Sequence, residues 1–136
     1  MKIKFLFLFL AVIALMSSAQ SLKDSDPSKI KKGMIKISII YANGEGNTFD
    51  MDYYANKHMP MVAELFGPAL KHLAIDKGLS GRTPNDKMPF LAVGYFYFDT
   101  LEEYDNAFLP NAEKILSDIP NYTNIQPVVQ ISEVVQ

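Results

Sequence analysis

The sequence predicts an α+β domain of the ferredoxin-like class, in which a four-stranded antiparallel sheet carries two helices on one face. Two observations predict this fold. Four segments have the apolar patterns of strands, and two segments between them have apolar residues at helical spacing. The resulting order is β-α-β-β-α-β, which is the order of the split βαβ arrangement. No internal repeat interrupts it, and the chain is short enough for one domain.

The predicted strands cover residues 34–41, 70–76, 90–98 and 128–135. The first alternates with a period of two, with Ile35, Ile37, Ile39 and Tyr41 on one side. The third is apolar or aromatic on both sides, so we expect both of its faces to be covered. Pro127 precedes the fourth strand and indicates an edge position, because proline cannot donate to a sheet ladder.

The first predicted helix follows the turn residues 43–47, and Thr48 or Asp50 is expected to cap it. Pro60 lies inside the helical pattern. Because proline lacks a backbone N–H and clashes with the preceding turn, we expect a kink or a break there. Residues 67–68, Gly-Pro, close the segment.

The second predicted helix begins at a capping box formed by Thr100 and Glu103. Pro110 interrupts the apolar pattern that follows. Since proline is favoured at the first position of a helix, we interpret it as the start of a second helical piece.

The first 19 residues have the layout of a secretory signal peptide, with Lys2 and Lys4, an apolar run over 5–16 and small residues over 17–19. The apolar run is shorter than the roughly 20 residues that span a bilayer. We expect cleavage, export to the periplasm or the medium and no membrane association afterwards; an uncleaved anchor is the alternative. Residues 20–32 are predicted to be a flexible tether, and residues 33–136 the folded domain.

The composition excludes several functional classes. The chain has no cysteine, which excludes disulfides, thiolate metal sites and a lipoprotein anchor. Its formal net charge is −2, so the basic surface of a nucleic-acid-binding protein is absent. Its two histidines, His58 and His72, lack the carboxylate spacing of a metal motif. Residues 44–46, Gly-Glu-Gly, do not extend to a dinucleotide-binding pattern. We therefore predict no cofactor.

A sheet with helices on one face leaves its other face open. Ile40 and the second side of residues 90–98 place apolar side chains on that face. An open apolar face of this kind indicates a partner, and a second copy of the chain in a two-fold dimer is the simplest one. The sequence therefore predicts a homodimer.

His58 is the first candidate for chemistry. Tyr54 lies four residues before it, on the same face of the predicted helix, and Tyr53 is adjacent. Histidine titrates near neutral pH and a nearby phenol can polarise a carbonyl, so we predict an acid–base site made of His58, Tyr54 and Tyr53, with one tyrosine hydrogen-bonded to the imidazole. The alternative is structural: His58 caps the helix end before Pro60.

Two separate motifs resemble the EthD family of the dimeric α/β-barrel superfamily. They are Asp-Tyr-Tyr at 52–54 with His-Met-Pro at 58–60 and Gly-Pro at 67–68, and the run Ile-Pro-Asn-Tyr-Thr-Asn-Ile-Gln-Pro at 119–127. The resemblance covers nearly all of residues 34–135. It implies a ferredoxin-like subunit whose sheet packs face to face with a second subunit, and a cavity between each sheet and its helices. Proteins with this fold include cyclases, dehydratases and decarboxylases.

The hypothesis from the sequence is an exported homodimer that binds an apolar or carbonyl-bearing small molecule, with lyase, cyclase or isomerase chemistry through His58, Tyr54 and Tyr53. Two alternatives stay open: a non-catalytic binding or stress-associated protein, and a haem-binding protein or cofactor-free oxygenase of the kind that the superfamily contains. For residues 121–124, Asn-Tyr-Thr-Asn, we expect a turn that positions the last strand.

Overall fold

The computed structural model describes residues 30–136, which form one four-stranded antiparallel sheet with helical segments. The strands are β1 (Ile35–Ala42), β2 (His72–Lys77), β3 (Phe90–Phe98) and β4 (Val128–Glu133). Their order across the sheet is β2-β3-β1-β4. This is the predicted ferredoxin-like arrangement, and β4 lies at an edge as Pro127 indicates. The predicted signal peptide and most of the predicted tether lie outside the described residues.

Each predicted helix is a series of short helical pieces. The first runs through α1 (Met51–Tyr53), a π-helical turn (Tyr54–His58), α2 (Met59–Phe66) and a 3₁₀ turn (Gly67–Ala69). The second runs through α3 (Leu101–Phe108), a 3₁₀ turn (Leu109–Asn111), α4 (Ala112–Asp118) and a 3₁₀ turn (Ile119–Asn121). Within the described residues, no helix is long and apolar enough to cross a membrane.

The caps follow the sequence signals. Asp50 caps the first segment, accepting a hydrogen bond from the backbone N–H of Tyr53 at 2.9 Å. Both bonds of the predicted capping box are formed, because the Thr100 hydroxyl accepts from the Glu103 N–H and the Glu103 carboxylate accepts from the Thr100 N–H. Pro110 lies in the 3₁₀ turn that joins α3 to α4, so a new helical piece begins beside it as predicted.

No break of the helical backbone occurs at Pro60; the regular α-helix is interrupted in the turn just before it instead. The helical backbone continues through this residue, which lies in the first turn of α2. The turn before it is widened to a π turn, in which the N–H of Met59 bonds the carbonyl of Tyr54. Proline is tolerated at the start of a helix because its missing N–H would be unpaired there. After the wide turn, α2 begins at Met59 with Pro60 in its first turn.

The core lies between the sheet and the helical segments. The register of β1 against β3 pairs Ile37 with Phe96 and Ile39 with Gly94, so these side chains share the helix-facing side. The largest fully buried side chains are Tyr41, Tyr54, Phe98, Ile37, Met59 and Val62. Complete burial of a large apolar side chain contributes about 1.5–3 kcal/mol, so these residues dominate the stability of the domain.

Gly94 lies where the first helical segment approaches the sheet most closely. A Cβ atom at this position would overlap the hydroxyl of Tyr54 and lie 3.0 Å from the Cε of Met59. A larger residue is therefore excluded, and the absence of a side chain at Gly94 is what allows Tyr54 to be buried against β3.

The other face of the sheet carries no helix in the described part of the chain. Ile40 pairs with Val93 on one side and Val128 on the other, forming an apolar row across three strands. The ammonium group of Lys36 lies 4.5 Å from the ring centre of Tyr95 on the same face. Within the single chain this face of β3 is therefore open, as a sheet with helices on one side requires. Burial of the open face by a second chain stays a prediction.

Candidate functional site

His58 is the last residue of the π turn, and its ring is buried between two tyrosines. Only 5% of the residue is exposed. The ring stacks on Tyr54 at 5.7 Å between centres and tilts against Tyr122 at 4.6 Å. The four-residue spacing of Tyr54 and His58 thus brings the two rings together, as predicted. A π turn inside a helix is rare and frequently marks a functional site.

Asp118, the last residue of α4, binds the first ring nitrogen of His58. The distance from Nδ1 to the carboxylate Oδ2 is 2.8 Å. A carboxylate only accepts hydrogen bonds, so the geometry requires the hydrogen on Nδ1. The other carboxylate oxygen, Oδ1, accepts from the Tyr53 hydroxyl and from the Asn121 side-chain amide, each at 2.9 Å. Asp118 is therefore held by three donors and fixes the orientation of the imidazole.

Tyr122 contacts the second ring nitrogen of His58, Nε2. Its hydroxyl lies 3.3 Å from Nε2 of His58, and the hydroxyl of Tyr41 lies 2.7 Å from that of Tyr122. With the hydrogen of the imidazole on Nδ1, Nε2 is an acceptor, so Tyr122 donates to it and Tyr41 donates to Tyr122. We call the hydrogen-bonded series Asp118–His58–Tyr122–Tyr41 the buried relay. It links the end of α4 to the centre of the sheet.

Burial controls the charges of the relay. Desolvation lowers the pKa of His58 below its ordinary 6.5, although the Asp118 carboxylate acts in the opposite direction. Burial tends to raise the pKa of Asp118, but hydrogen bonds from His58, Asn121 and Tyr53 outweigh it and bring the pKa below 3.8. Burial also raises the pKa of Tyr122. At neutral pH the relay therefore consists of a carboxylate, a neutral imidazole and neutral phenols.

The three predicted site residues do come together, but not with the predicted bonds. Neither Tyr54 nor Tyr53 binds the imidazole: Tyr53 bonds Asp118 instead, and the Tyr54 hydroxyl is buried with no hydrogen-bond partner. The ring nitrogens of His58 do not cap a helix end either, because both face side chains. His72 lies apart on the open face of the sheet, 5.4 Å from the ring of Tyr97.

Sequence reasoning missed Asp118, Tyr122 and Tyr41 as members of the site. Residues 121–124 do tie the chain to the turn before α1, as their expected structural role requires. The Thr123 hydroxyl donates to the Thr48 carbonyl, and the Asn124 side chain bonds both Thr48 and Gly46. The signal that could have assigned Tyr122 is its position in the second motif, next to Asn121 and four residues after Asp118.

Two open clefts lie beside Phe49. The first, of about 420 Å³, lies between residues 48–50 and 120–124 and is lined by Phe49 and Tyr122. The second, of about 300 Å³, is lined by Phe49 and by Asn47, Met51, Lys77, Gly78, Met88 and Leu91. His58 and Tyr54 line neither cleft. Both rings contact Tyr122, and the ring of Tyr54 also contacts Phe49. Among the described residues, no group of three histidine or acidic side chains could hold a metal ion.

Comparison with known proteins identifies the family. The model of the EthD domain matches residues 44–126, which include His58, Asp118 and Tyr122. The chain belongs to the EthD family. The solved structure of an EthD-like protein from Ralstonia eutropha JMP134 is 42% identical in sequence to this EthD protein. The match covers 78% of this chain and 96% of the Ralstonia chain, and the TM-score is 0.73.

A second solved structure supports the EthD fold alone. This ethyl tert-butyl ether D (EthD) family protein from Bacillus halodurans C-125 is 17% identical, with 74% of this chain and 97% of the other covered and a TM-score of 0.53. No curated protein matches the chain. The family predicted from the two motifs and the ferredoxin-like fold predicted from the order of strands and helices are both confirmed.

Proposed function

We propose that this EthD protein is an exported homodimer that binds a small apolar or carbonyl-bearing molecule and acts on it by acid–base chemistry of the lyase, cyclase or isomerase kind. The observation that carries the proposal is the buried relay, in which a carboxylate orients a neutral imidazole whose other nitrogen faces a tyrosine hydroxyl. In many enzymes a general base is held in the right orientation by a third, hydrogen-bonded group, and it then takes a proton from the reacting group. The export component rests on residues 1–19.

His58 is suited to the role of base. Its Nδ1–H is held by Asp118, so Nε2 carries the lone pair, which accepts the Tyr122 hydroxyl and can take its proton. The positive charge formed on the ring would lie 2.8 Å from a carboxylate that is already ionised. Asp118 therefore stabilises the protonated product of the step, while the lowered pKa of His58 keeps the ring neutral beforehand.

Tyr122 contacts the base through its hydroxyl and is also one of the residues that line the first cleft. In the proposed step, a C–H proton next to the carbonyl of a bound molecule passes to the Tyr122 oxygen as the Tyr122 proton passes to Nε2 of His58. The electron pair of the broken C–H bond remains on the molecule as an enolate. Return of the proton to a different atom gives an isomer. The contact between Tyr122 and Nε2 is, at 3.3 Å, the longest link of the relay, so it is the one most easily rearranged.

Proton exchange at the central carbon of acetylacetone tests this role of His58. We expect the protein to accelerate exchange with D₂O, followed by NMR, and His58→Gln to reduce the acceleration by about 10²-fold, the lower end of the range for general acid–base catalysis. His72→Gln is the matched control, since His72 lies outside the relay and lines neither cleft. Equal rates for the protein and for His58→Gln, with both folded, would refute the catalytic role.

A non-catalytic binding protein is the second candidate, and the burial of His58 favours it. The residue is only 5% exposed and lines neither cleft, so a ligand in the clefts does not touch the imidazole. In this case the relay holds α4 against the first helical segment. The exchange assay separates the two candidates, because a binding protein would take up acetylacetone without accelerating exchange.

The proposed dimer uses the open sheet face. The apolar row of Ile40, Val93 and Val128 crosses this face, and Val128 is 62% exposed in the single chain. Such a row is typical of an interface centre. Light scattering at micromolar concentration is expected to give twice the mass of one chain, and Ile40→Glu is expected to give monomers. Leu79→Glu, in an exposed loop, is the control and should stay dimeric. A monomeric parent protein would refute the interface.

A further inference from the structure

Tyr53 contacts both of the residues that hydrogen-bond the imidazole of His58. Its hydroxyl donates to Oδ1 of Asp118 at 2.9 Å, while the other carboxylate oxygen accepts from Nδ1 of the imidazole. Its ring stacks on Tyr122, with 6.1 Å between the ring centres and 22° between the planes, and the Tyr122 hydroxyl contacts Nε2. Among residues 30–136, no hydrogen bond joins Tyr53 to His58 directly. One side chain therefore connects the two partners of the base without binding the base.

Tyr53 is held in place by groups on both helical segments. It lies in α1, where the Asp50 side chain accepts from its backbone N–H at 2.9 Å. The ammonium group of Lys57, one turn later, lies 5.2 Å from the centre of its ring, within the range of a cation–π contact. Asp118 is 65 positions away, so its bond to the hydroxyl joins the first helical segment to the end of α4. A side chain fixed in this way can orient its partners.

Tyr53 lies apart from the space that a ligand could enter. It lines neither of the two clefts, so a molecule bound there does not touch its hydroxyl. The pKa of Tyr53 is raised because the hydroxyl donates to the Asp118 carboxylate, although a hydrogen bond from Asn121 acts in the opposite direction. The phenol therefore stays neutral and keeps its hydrogen for Asp118. These features separate Tyr53 from a group that exchanges protons with a ligand.

The Tyr53 hydroxyl also affects how strongly Asp118 attracts a positive charge. Oδ1 of Asp118 accepts from Tyr53 and from the Asn121 amide, each at 2.9 Å. Hydrogen bonds to a carboxylate stabilise its negative charge. A carboxylate stabilised in this way attracts the Nδ1 hydrogen less and stabilises a protonated imidazole less. The loss of one donor from Oδ1 should therefore raise the proton affinity of His58.

We propose that Tyr53 is a positioning residue of the acid–base reaction: it holds Asp118 and Tyr122 at the two ring nitrogens of the imidazole, and its hydroxyl limits how far the carboxylate stabilises a positive charge on the ring. The inference rests on the proposed function and assigns Tyr53 a role beside the base, in place of contact with the ligand. With this donor present, the imidazole stays neutral and can act as a base near neutral pH.

A nitrogen-15 NMR titration of the His58 ring tests the inference on the whole protein. Tyr53→Phe keeps the ring and removes only the hydroxyl, so we expect a higher pKa of His58 than in the parent. Asn121→Leu removes the other donor from the same oxygen and should shift this pKa in the same direction. Tyr95→Phe is the matched control, because the Tyr95 hydroxyl bonds a different aspartate, Asp76, and the pKa of His58 should equal that of the parent.

Proton exchange of acetylacetone in D₂O supplies the second measurement. In Tyr53→Phe, the acid limb of the pH–rate profile should move to higher pH together with the pKa of His58. The rate on the alkaline plateau should stay within about twofold of the parent, because the base itself is present. A tyrosine that transferred a proton to the ligand would behave differently: its loss would lower the plateau by about 10²-fold and leave the limb in place.

Two results would overturn the proposal. One is an unchanged pKa of His58 in folded Tyr53→Phe, which would show that the hydroxyl only ties the first helical segment to α4. The other is the lowered plateau with an unmoved limb, which would place Tyr53 in contact with the ligand. The NMR titration involves no turnover. A parent protein that does not accelerate exchange would therefore refute the proposed function, while a raised pKa of His58 in Tyr53→Phe would still support the positioning role.

Discussion

Gly94→Ala is expected to lower the free energy of unfolding by about 2–3 kcal/mol, the cost of overpacking a core. The new Cβ would overlap the Tyr54 hydroxyl and lie 3.0 Å from the Cε of Met59. Neither neighbour moves freely, because Tyr54 is packed among three aromatic rings and Met59 is 1% exposed. Urea denaturation followed by circular dichroism measures the change.

A double-mutant cycle isolates the cause of this loss. Tyr54→Phe alone removes an unpaired hydroxyl, so we expect it to leave stability unchanged or to raise it. In the Tyr54→Phe background, Gly94→Ala should lower the free energy of unfolding by half as much or less, because the oxygen atom that the new Cβ overlaps is gone. An equal cost in both backgrounds would show that the Tyr54 hydroxyl does not occupy the space beside Gly94.

Acidification below pH 6.5 is expected to destabilise the protein through His58. The pKa of His58 is lowered from 6.5 in the folded protein, so the unfolded chain takes up a proton first as the pH falls. Stability is therefore full above pH 6.5 and declines as the pH falls through the pKa of the folded state. The lowered pKa of Asp118 also reduces stability as the pH falls, but only below pH 3.8, the ordinary pKa of an aspartate.

The matched variants separate this effect from general acid denaturation. His58→Gln should have a lower stability at pH 7.5 and a flatter dependence between about pH 6.5 and 5, because the titrating group is gone. His72→Gln removes the other histidine, and its free energy of unfolding should still fall with pH as in the parent, because His58 is present. The free energy of unfolding from urea titrations at each pH gives the slopes. A His58→Gln slope equal to that of the parent would contradict the assignment.

The strands were predictable because their signals are local. The third strand was predicted at its observed bounds, Phe90–Phe98, from a continuous apolar pattern, and the other three within two residues at each end. The capping box at Thr100 was equally local, since both of its bonds join residues three positions apart. The form of the interruption near Pro60 was not predictable, because the rule assumes an α-helical turn before the proline, and a π turn precedes it here.

The site was only partly predictable because its bonds are long-range. Tyr54 and His58 are four residues apart, so helical spacing alone brings their rings together. Asp118 is 60 positions from His58, and Tyr122 is 81 positions from Tyr41. No periodicity in one sequence relates such positions, and the helical segments and the sheet must be assembled before they meet. The second motif marked the right region but could not show which side chains face His58.

The central claim is that His58 is a neutral imidazole oriented by Asp118, with its hydrogen on Nδ1. Nitrogen-15 NMR of the histidine rings tests it most directly, because the shifts of the two ring nitrogens report the tautomer and their pH dependence reports the pKa; His58→Gln assigns the signals. The structure predicts the Nδ1–H tautomer at pH 7 and a pKa below 6.5. A hydrogen on Nε2, or a ring still protonated at pH 7, would contradict the account.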